Sequence, residues 1–414
     1  MKKLHIITYG CQMNEDDSQR LAQLYALKGY EISDNREDSD LVIINSCTVR
    51  QHAEDKAVSE LGRLRKWKKA KQGRKIIFAG CAAQRLKKDL KKRFPFLDSV
   101  IGAKDYKDLF SRQDSKILSQ YPQAKIFNSP ISDYLTIMRG CSMKCSYCIV
   151  PAVRGPAVSS DFEEILNSAK NKVSTGIKEL ILLGQTVNCY KDREKNKTFT
   201  DLLKALSEID GLERIKFMSP HPLFFTKDFF DLFSKEKKIS RHIHLPVQSG
   251  CDKVLSAMKR GYKCADYLQI IEKLRKADDS VSISTDFIVG FPGETQKDFE
   301  ETLKLAEKAK FSFAFCFKYS PRTDKPSDIS DISDLQMSKR LSILLEKVKE
   351  ISKKVFEGRI GKTEEVLAEK ENYGKTSSGF NCAIIDSRKV KAGEKVQVKI
   401  EKTAGNKLYG KVLK

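Results

Sequence analysis

Tyr134-Leu135-Thr136-Ile137-Met138-Arg139-Gly140-Cys141-Ser142-Met143-Lys144-Cys145-Ser146-Tyr147-Cys148 is an apolar run that stops at glycine and opens into three cysteines spaced CxxxCxxC. Read as a strand over 134–139, it delivers the cysteines to a strand C-terminus, the end at which parallel sheets bind ligands. Downstream, apolar runs alternate with amphipathic stretches. Strands are predicted over 179–184, 214–218, 241–245, 281–290 and 311–319, with helices over 161–174, 201–209, 267–275 and 297–309 between them. Strand alternating with helix means an α/β domain with a parallel sheet. Six such units predict a partial (β/α)6 barrel, closed by a long helix over 334–356.

The motifs cluster at one end of that barrel. The cysteine loop follows the first strand, and Gly184-Gln185-Thr186-Val187-Asn188 follows the second. Ser219-Pro220-His221-Pro222, Pro246-Val247-Gln248-Ser249-Gly250, Gly290-Phe291-Pro292-Gly293-Glu294 and Ser320-Pro321-Arg322 follow the other four. Ordinary turns would spread over both ends, whereas catalytic loops gather at the C-terminal one.

Upstream, three β-branched runs (4–8, 41–45 and 75–79) alternate with helical stretches (15–27, 53–69 and 84–93), predicting a doubly wound parallel sheet. The pattern weakens over 114–129, which reads as a linker. The last 56 residues, 359–414, are short alternating runs separated by glycine, predicting a small all-β barrel. The expected domains are 1–118, 127–357 and 359–414.

Each upstream run ends at a cysteine: Tyr9-Gly10-Cys11, Asn45-Ser46-Cys47 and Ala79-Gly80-Cys81. Three thiols at one sheet edge could share a metal centre; the plainer alternative is three inert core cysteines. Glycine before the thiol would let the backbone approach a bulky group. In the later loop, three thiolates suit a cubane iron–sulfur cluster with one open iron, since structural zinc takes four ligands. A zinc or surface thiol cluster is the other reading.

Composition sets the outer bounds. With 40% hydrophobic and 32% charged residues over 414 positions, sizeable cores are possible and global disorder is excluded. No run of about 18 apolar residues occurs, and the N-terminus lacks a signal-peptide core. The expectation is a cytoplasmic chain with no membrane partner, whose 11 cysteines serve metal or catalysis rather than disulfides. Lys and Arg total 77 against 55 acids, a net +22, which favours a polyanionic partner. Residues 63–75 hold eight Lys/Arg and no acid, 85–93 hold six against one Asp, and 359–414 carry 13 against seven. Part of this is solvated helix surface; three basic segments also fit phosphate contacts along a folded RNA.

The cysteine loop, together with Tyr9-Gly10-Cys11-Gln12-Met13-Asn14, Cys47-Thr48-Val49-Arg50, Gly80-Cys81 and Gly290-Phe291-Pro292-Gly293-Glu294-Thr295, resembles the radical S-adenosylmethionine (SAM) methylthiotransferase family over nearly the whole chain. The resemblance implies an N-terminal methylthiotransferase domain, a radical SAM core and a C-terminal TRAM domain. It implies two 4Fe-4S clusters and SAM. Cys141, Cys145 and Cys148 would hold the cluster that binds SAM, and Cys11, Cys47 and Cys81 an auxiliary cluster that carries sulfur. Tyr147, Gly184, Gln185, Asn188, Gln248, Ser249, Gly290 and Gly293 would line the cofactor. The implied reaction adds a methylthio group to carbon 2 of N6-isopentenyladenosine beside the anticodon of tRNA. It draws on a low-potential electron donor of flavodoxin or ferredoxin type and on a sulfur source. Related branches act on threonylcarbamoyladenosine in tRNA or on an aspartate of a ribosomal protein. A non-catalytic iron–sulfur RNA-binding protein is a rival of another class, which would not need the SAM loops.

The chain departs from the family pattern at Thr186, usually Asn, and at Ala157 and Ser160, often Glu and Arg. The continuation after Arg322 and a Gly-Arg-Thr segment near the C-terminus also differ. Arg154 either pairs with a carboxylate or phosphate or is a surface residue. His242 and His244 share one strand face and read as hydrogen-bonded barrel residues rather than ligands. Cys189, Cys251, Cys264, Cys316 and Cys382 are expected to be structural or incidental.

Overall fold

The structure is a computed structural model and describes residues 1–109, 129–321 and 329–413. The expected linker over 114–129 lies, apart from residue 129, outside the described residues, as does Arg322. The chain divides into two compact units. The first holds residues 1–128, 134–142 and 149–158; the second holds 129–133, 143–148 and 159–414.

In the first unit, Lys2–Tyr9 (β1), Tyr30–Ile32 (β2), Leu41–Ser46 (β3), Lys75–Gly80 (β4) and Ser99–Gly102 (β5) form one sheet of order β2-β1-β3-β4-β5. All its pairings are parallel. β3 is buried at every position, as expected for a central strand covered on both faces. Helices Gln12–Leu27 (α1), Gln51–Lys69 (α2) and Cys81–Arg93 (α3) make the crossovers. Ala57, Leu61 and Leu64, at helical spacing on α2, pack with Ile44 and Phe78 on one face. Leu4, Leu21, Ile43 and Ile77 form the core of the other, joined by Ile149 and Val153. The order reverses between β1 and β3, and ligands of doubly wound sheets bind at the strand C-termini there. Cys11 follows β1 and Cys47 follows β3, one on each side of that point.

The run over 134–139 is broken into Ser132–Thr136 (β6) and Met138–Arg139 (β7). β7 pairs with Val158–Ser159 (β8), across the short helix Val150–Arg154. In the second unit, Glu179–Leu183 (β9) leads to a small hairpin of Lys191–Asp192 (β10) and Lys197–Thr198 (β11). Arg214–Phe217 (β12), His242–His244 (β13), Ser282–Val289 (β14) and Phe313–Lys318 (β15) follow. They form two sheets, β12-β9-β6 and β13-β14-β15, joined through a parallel bridge between Ile215 and Ile239. The expected six-strand partial barrel is therefore present, with helices on its outer side.

The long helix Asp334–Glu357 carries Phe356 in its last turn, and this ring enters the core of a closed barrel. That barrel is built from Thr363–Lys370 (β16), Tyr373–Thr376 (β17), Asn381–Ile384 (β18), Lys395–Ala404 (β19) and Lys407–Val412 (β20). Phe356 meets Phe380 edge-on at 4.7 Å, and Cys382 is fully buried beside them. The closed barrel lies at the N-terminal ends of the parallel strands. Arg214 Nη1 donates to Lys375 O at 3.0 Å, Arg241 N to Ser377 O at 2.8 Å, and Ser378 Oγ to Ser280 O at 2.8 Å. Among the described residues, no helix is long and apolar enough to cross a membrane.

Candidate active site

In the first unit the three strand-end cysteines meet at one edge. Cys11 caps α1 and Cys81 is the first residue of α3, so two thiols stand at positive helix ends, which favour thiolate. Cys47 Sγ accepts the N–H of Val49 at 3.3 Å. The Cys11 thiol hydrogen-bonds Cys47, which holds the Cys47 thiol down at about 7 and, with burial, pushes Cys11 well up. Burial also raises Cys81. The glycines serve the sheet rather than a bulky ligand. A Cβ on Gly80, at φ +95°, would lie 2.3 Å from Asn45 Oδ1; one on Gly10 would lie 2.4 Å from Asn14 Oδ1. Those two asparagines are bonded to each other, and Asn45 also donates to Ser18 Oγ at 2.9 Å.

Arg154 is no surface residue. Ile149 and Val153, one helical turn apart, bury their side chains in the sheet core, and this carries Arg154 to the thiol edge. Its Nε donates to Cys81 Sγ at 3.1 Å and its Nη2 pairs with Asp17 Oδ2 at 2.8 Å. Arg139 Nη1 takes the other Asp17 oxygen at 2.5 Å. Burial alone would raise Asp17, but the two guanidiniums outweigh it and hold the carboxyl below its usual range. Cys141 lies on the same unit, its N–H bonded to Gly155 O at 3.0 Å.

In the second unit the strand C-termini carry the predicted loops. Cys148 N–H bonds Cys145 O. Arg260 is buried, with Nη1 3.3 Å from Tyr147 Oη and 3.6 Å from Cys145 Sγ. Gln248 adopts φ +78°, a conformation costly for a side-chain-bearing residue, and is held there by backbone bonds to Asp286 and Ile288 of β14. Ser249 Oγ is 3.4 Å from Thr302 Oγ1. Asn188 is spent on positioning: it donates to His221 O and accepts the His221 N–H, at 2.9 and 2.8 Å. Gly290 N–H bonds Glu294 and Gly293 N–H bonds Asp331, so these two glycines shape the turn.

Three buried polar atoms at this mouth have no hydrogen-bond partner among the described residues: Gln185 Oε1, His221 Nε2 and Glu294 Oε1. Buried polar atoms are rarely left unpaired. Orphans on the loops after β9, β12 and β14, with Gly184 buried beside Gln185, fit a polar ligand such as SAM. His221 accepts the Leu223 N–H through Nδ1, so its Nε2 carries the proton. Asp17, His221 and Arg260 were not identified from sequence; for His221 the signal was present, in the loop after β12.

His242 and His244 both bond the Ser284 hydroxyl at 2.9 Å, as expected of histidines satisfied within the barrel. Among the described residues, no three His, Cys, Asp or Glu side chains close on a single ion. A cubane spreads its thiolates over different irons, so it suits three separated thiols better than one zinc does.

Residues 3–102 match the Uncharacterized protein family UPF0004, and residues 135–306 match the Radical SAM superfamily. A tRNA-2-methylthio-N(6)-dimethylallyladenosine synthase from Endomicrobium trichonymphae is 40% identical over 99% of both chains. One from Polynucleobacter asymbioticus is 42% identical over 89% of this chain and 87% of its own. Among solved structures, the radical SAM methyltransferase TsrM from Kitasatospora setae, with cobalamin and a [4Fe-4S] cluster bound, shares the fold. Its TM-score is 0.54 at 11% identity, covering 77% of this chain and 75% of that one. By sequence, arrangement of motifs and fold, the chain belongs to the tRNA-2-methylthio-N(6)-dimethylallyladenosine synthase family of radical SAM enzymes.

Proposed function

We propose that this enzyme transfers a methylthio group to carbon 2 of N6-isopentenyladenosine beside the anticodon of tRNA. Radical SAM enzymes work with a 4Fe-4S cluster and SAM; our reading assigns that cluster to Cys141, Cys145 and Cys148. It assigns a second, sulfur-carrying cluster to Cys11, Cys47 and Cys81. The observation that carries the reading is the set of three cysteines at adjacent strand ends, two of them flanking the switch point of the sheet. When bound, a 4Fe-4S cluster and SAM supply one-electron cleavage chemistry able to remove hydrogen from an unactivated carbon, which no side chain can do.

The protein's own share is positioning and exclusion of water. Arg260 orients Tyr147 over the cysteine loop. Asn188 locks the His221 backbone, so that His221 Nε2–H and Gln185 Oε1 present a donor and an acceptor to the cofactor. Gln248 is held in its strained form by β14, which fixes the loop that Ser249 ties to Thr302.

Lys66, Lys69, Lys87, Lys88, Lys91 and Lys92 are exposed on α2 and α3 and are our candidates for phosphate contacts. The basic segments are not wholly free for RNA. Arg74 is buried over Trp67 at 4.5 Å, and Arg85 pairs with Glu54. A low-potential electron donor and a sulfur source complete the reaction.

Deleting the gene and measuring nucleosides of bulk tRNA by mass spectrometry tests the reading. Methylthiolated isopentenyladenosine should vanish and isopentenyladenosine accumulate; unchanged methylthiolation ends it. Cys81→Ala should abolish methylthiolation while sparing reductant-dependent SAM cleavage. Loss of both would count against separate roles for the two cysteine sets.

A further inference from the structure

Arg154 stands six residues after Cys148 in the chain, yet its guanidinium belongs to the other cysteine set. Its side chain is 5% exposed and that of Asp17 is 0% exposed. Asp17 grips Nη2, which fixes the guanidinium plane and aims Nε–H at Cys81 Sγ, 3.1 Å away. A plain structural ion pair would need one arginine for this carboxylate, but Asp17 has two. Arg139 also reaches Asp16 at 3.5 Å, and Arg20 pairs with Asp16 at 3.4 Å. A buried guanidinium is costly unless its partners compensate it, and the two partners Arg154 touches are the Asp17 carboxylate and the Cys81 sulfur.

We propose that Arg154 is a positioning residue of the sulfur-carrying site, its Nε–H held on the Cys81 sulfur by Asp17 and its charge set against the three thiolates. The inference rests on the reading that Cys11, Cys47 and Cys81 hold an iron–sulfur cluster. Hydrogen bonds to ligand sulfurs and net charge set the reduction potential of such clusters. A fixed guanidinium donates a directed bond that a lysine ammonium does not reproduce. A cluster held beside Arg154 therefore accepts an electron more readily than one held by the same thiols alone. Asp17 acts in the opposite sense through its charge, while aiming the arginine.

The test uses the full chain with Cys141, Cys145 and Cys148 all changed to Ala, so that only the auxiliary cluster is reconstituted. Iron and sulfide analysis comes first. If this parent binds no cluster, the reading of the three cysteines fails and the inference falls with it. If it binds one, the midpoint potential is measured by EPR-monitored titration in the parent and in added R154Q, R154K and D17N variants. R154Q should shift the potential to more negative values, R154K by less, and D17N to less negative values. Potentials and EPR signals equal to the parent's in R154Q and D17N overturn the inference, even though the cysteines hold a cluster. Loss of the cluster in both Arg154 variants, with the apo-protein melting temperature unchanged, supports it. The same loss with a lowered melting temperature overturns it, because Arg154 is then only a structural tie.

Discussion

The Arg260 guanidinium reaches Tyr147 Oη across 3.3 Å, linking the segment after helix Asp252–Ala257 to the cysteine loop. The same side chain donates to Pro246 O at 2.8 Å and to Tyr262 Oη at 3.0 Å. Among the described residues it is the one charged donor these groups share. Arg260→Met keeps an apolar stem and leaves them short of it, a loss of about 1.5–3 kcal/mol for a charged hydrogen bond. Reductant-driven 5′-deoxyadenosine release should fall roughly ten- to a hundredfold. A variant that cleaves SAM at the parent rate would show that Arg260 does not orient the loop.

His221 sets a pH dependence of stability. Burial, with Arg260 nearby, pushes it down to about 3, whereas an unfolded chain protonates it near about 6.5. Between these values the unfolded state binds the extra proton, so stability is full above the unfolded value and lost as pH falls below it. From pH 7 to pH 5 this amounts to about 2 kcal/mol. His221→Leu should lose less stability than the parent over that interval, as followed by thermal melts at both pH values. Equal losses in the two proteins would remove His221 as the cause.

Gly290 and Gly293 both have left-handed backbone, at φ +79° and +77°. They differ in space: a Cβ on Gly290 would lie 2.2 Å from Met337 Cγ, while one on Gly293 meets nothing within 4 Å. Gly293→Ala should cost about 1 kcal/mol of backbone strain alone. Gly290→Ala should cost that plus about 1–3 kcal/mol of overpacking. Adding Met337→Ala should relieve Gly290→Ala by more than it relieves Gly293→Ala; equal behaviour in the double variants would sink the steric account.

If α3 carries tRNA phosphate contacts, changing Lys87, Lys88, Lys91 and Lys92 to Ala should weaken binding and lower its salt sensitivity. Each lost contact reduces the slope of log K against log salt by about 0.7–0.9. An unchanged slope in fluorescence titrations would place the contacts elsewhere.

Local signals in the sequence carried much of this architecture. The β-branched runs ending at Cys11, Cys47 and Cys81 name their own strands, and the spacing of apolar residues names α2. Boundaries differ: α3 begins at Cys81 rather than near Gln84, and Gly374, Lys375 and Thr376 leave β17 without a clear alternation of its own. The partners of Arg154 were out of reach for a different reason. It lies 137 positions from Asp17 and 73 from Cys81, and no periodicity reports a contact made by folding one segment onto another. Trp67 likewise sits within a basic run, yet its indole N–H donates to Arg36 O at 2.9 Å inside the core.

The carbonyls of Lys375, Ser377 and Ser378 receive donors from Arg214, Arg241 and Ser282, so the last barrel closes the base of the enzyme that it follows. It is therefore a poor candidate for removal as a detachable RNA-binding module. A chain stopped after the long helix would bare Phe356 and strip partners from buried arginines, and its lost activity would say little about RNA. Exchanging this barrel between relatives tests RNA preference fairly only if the loop from Lys375 to Ser378 and the Arg214 and Arg241 that donate to it travel together.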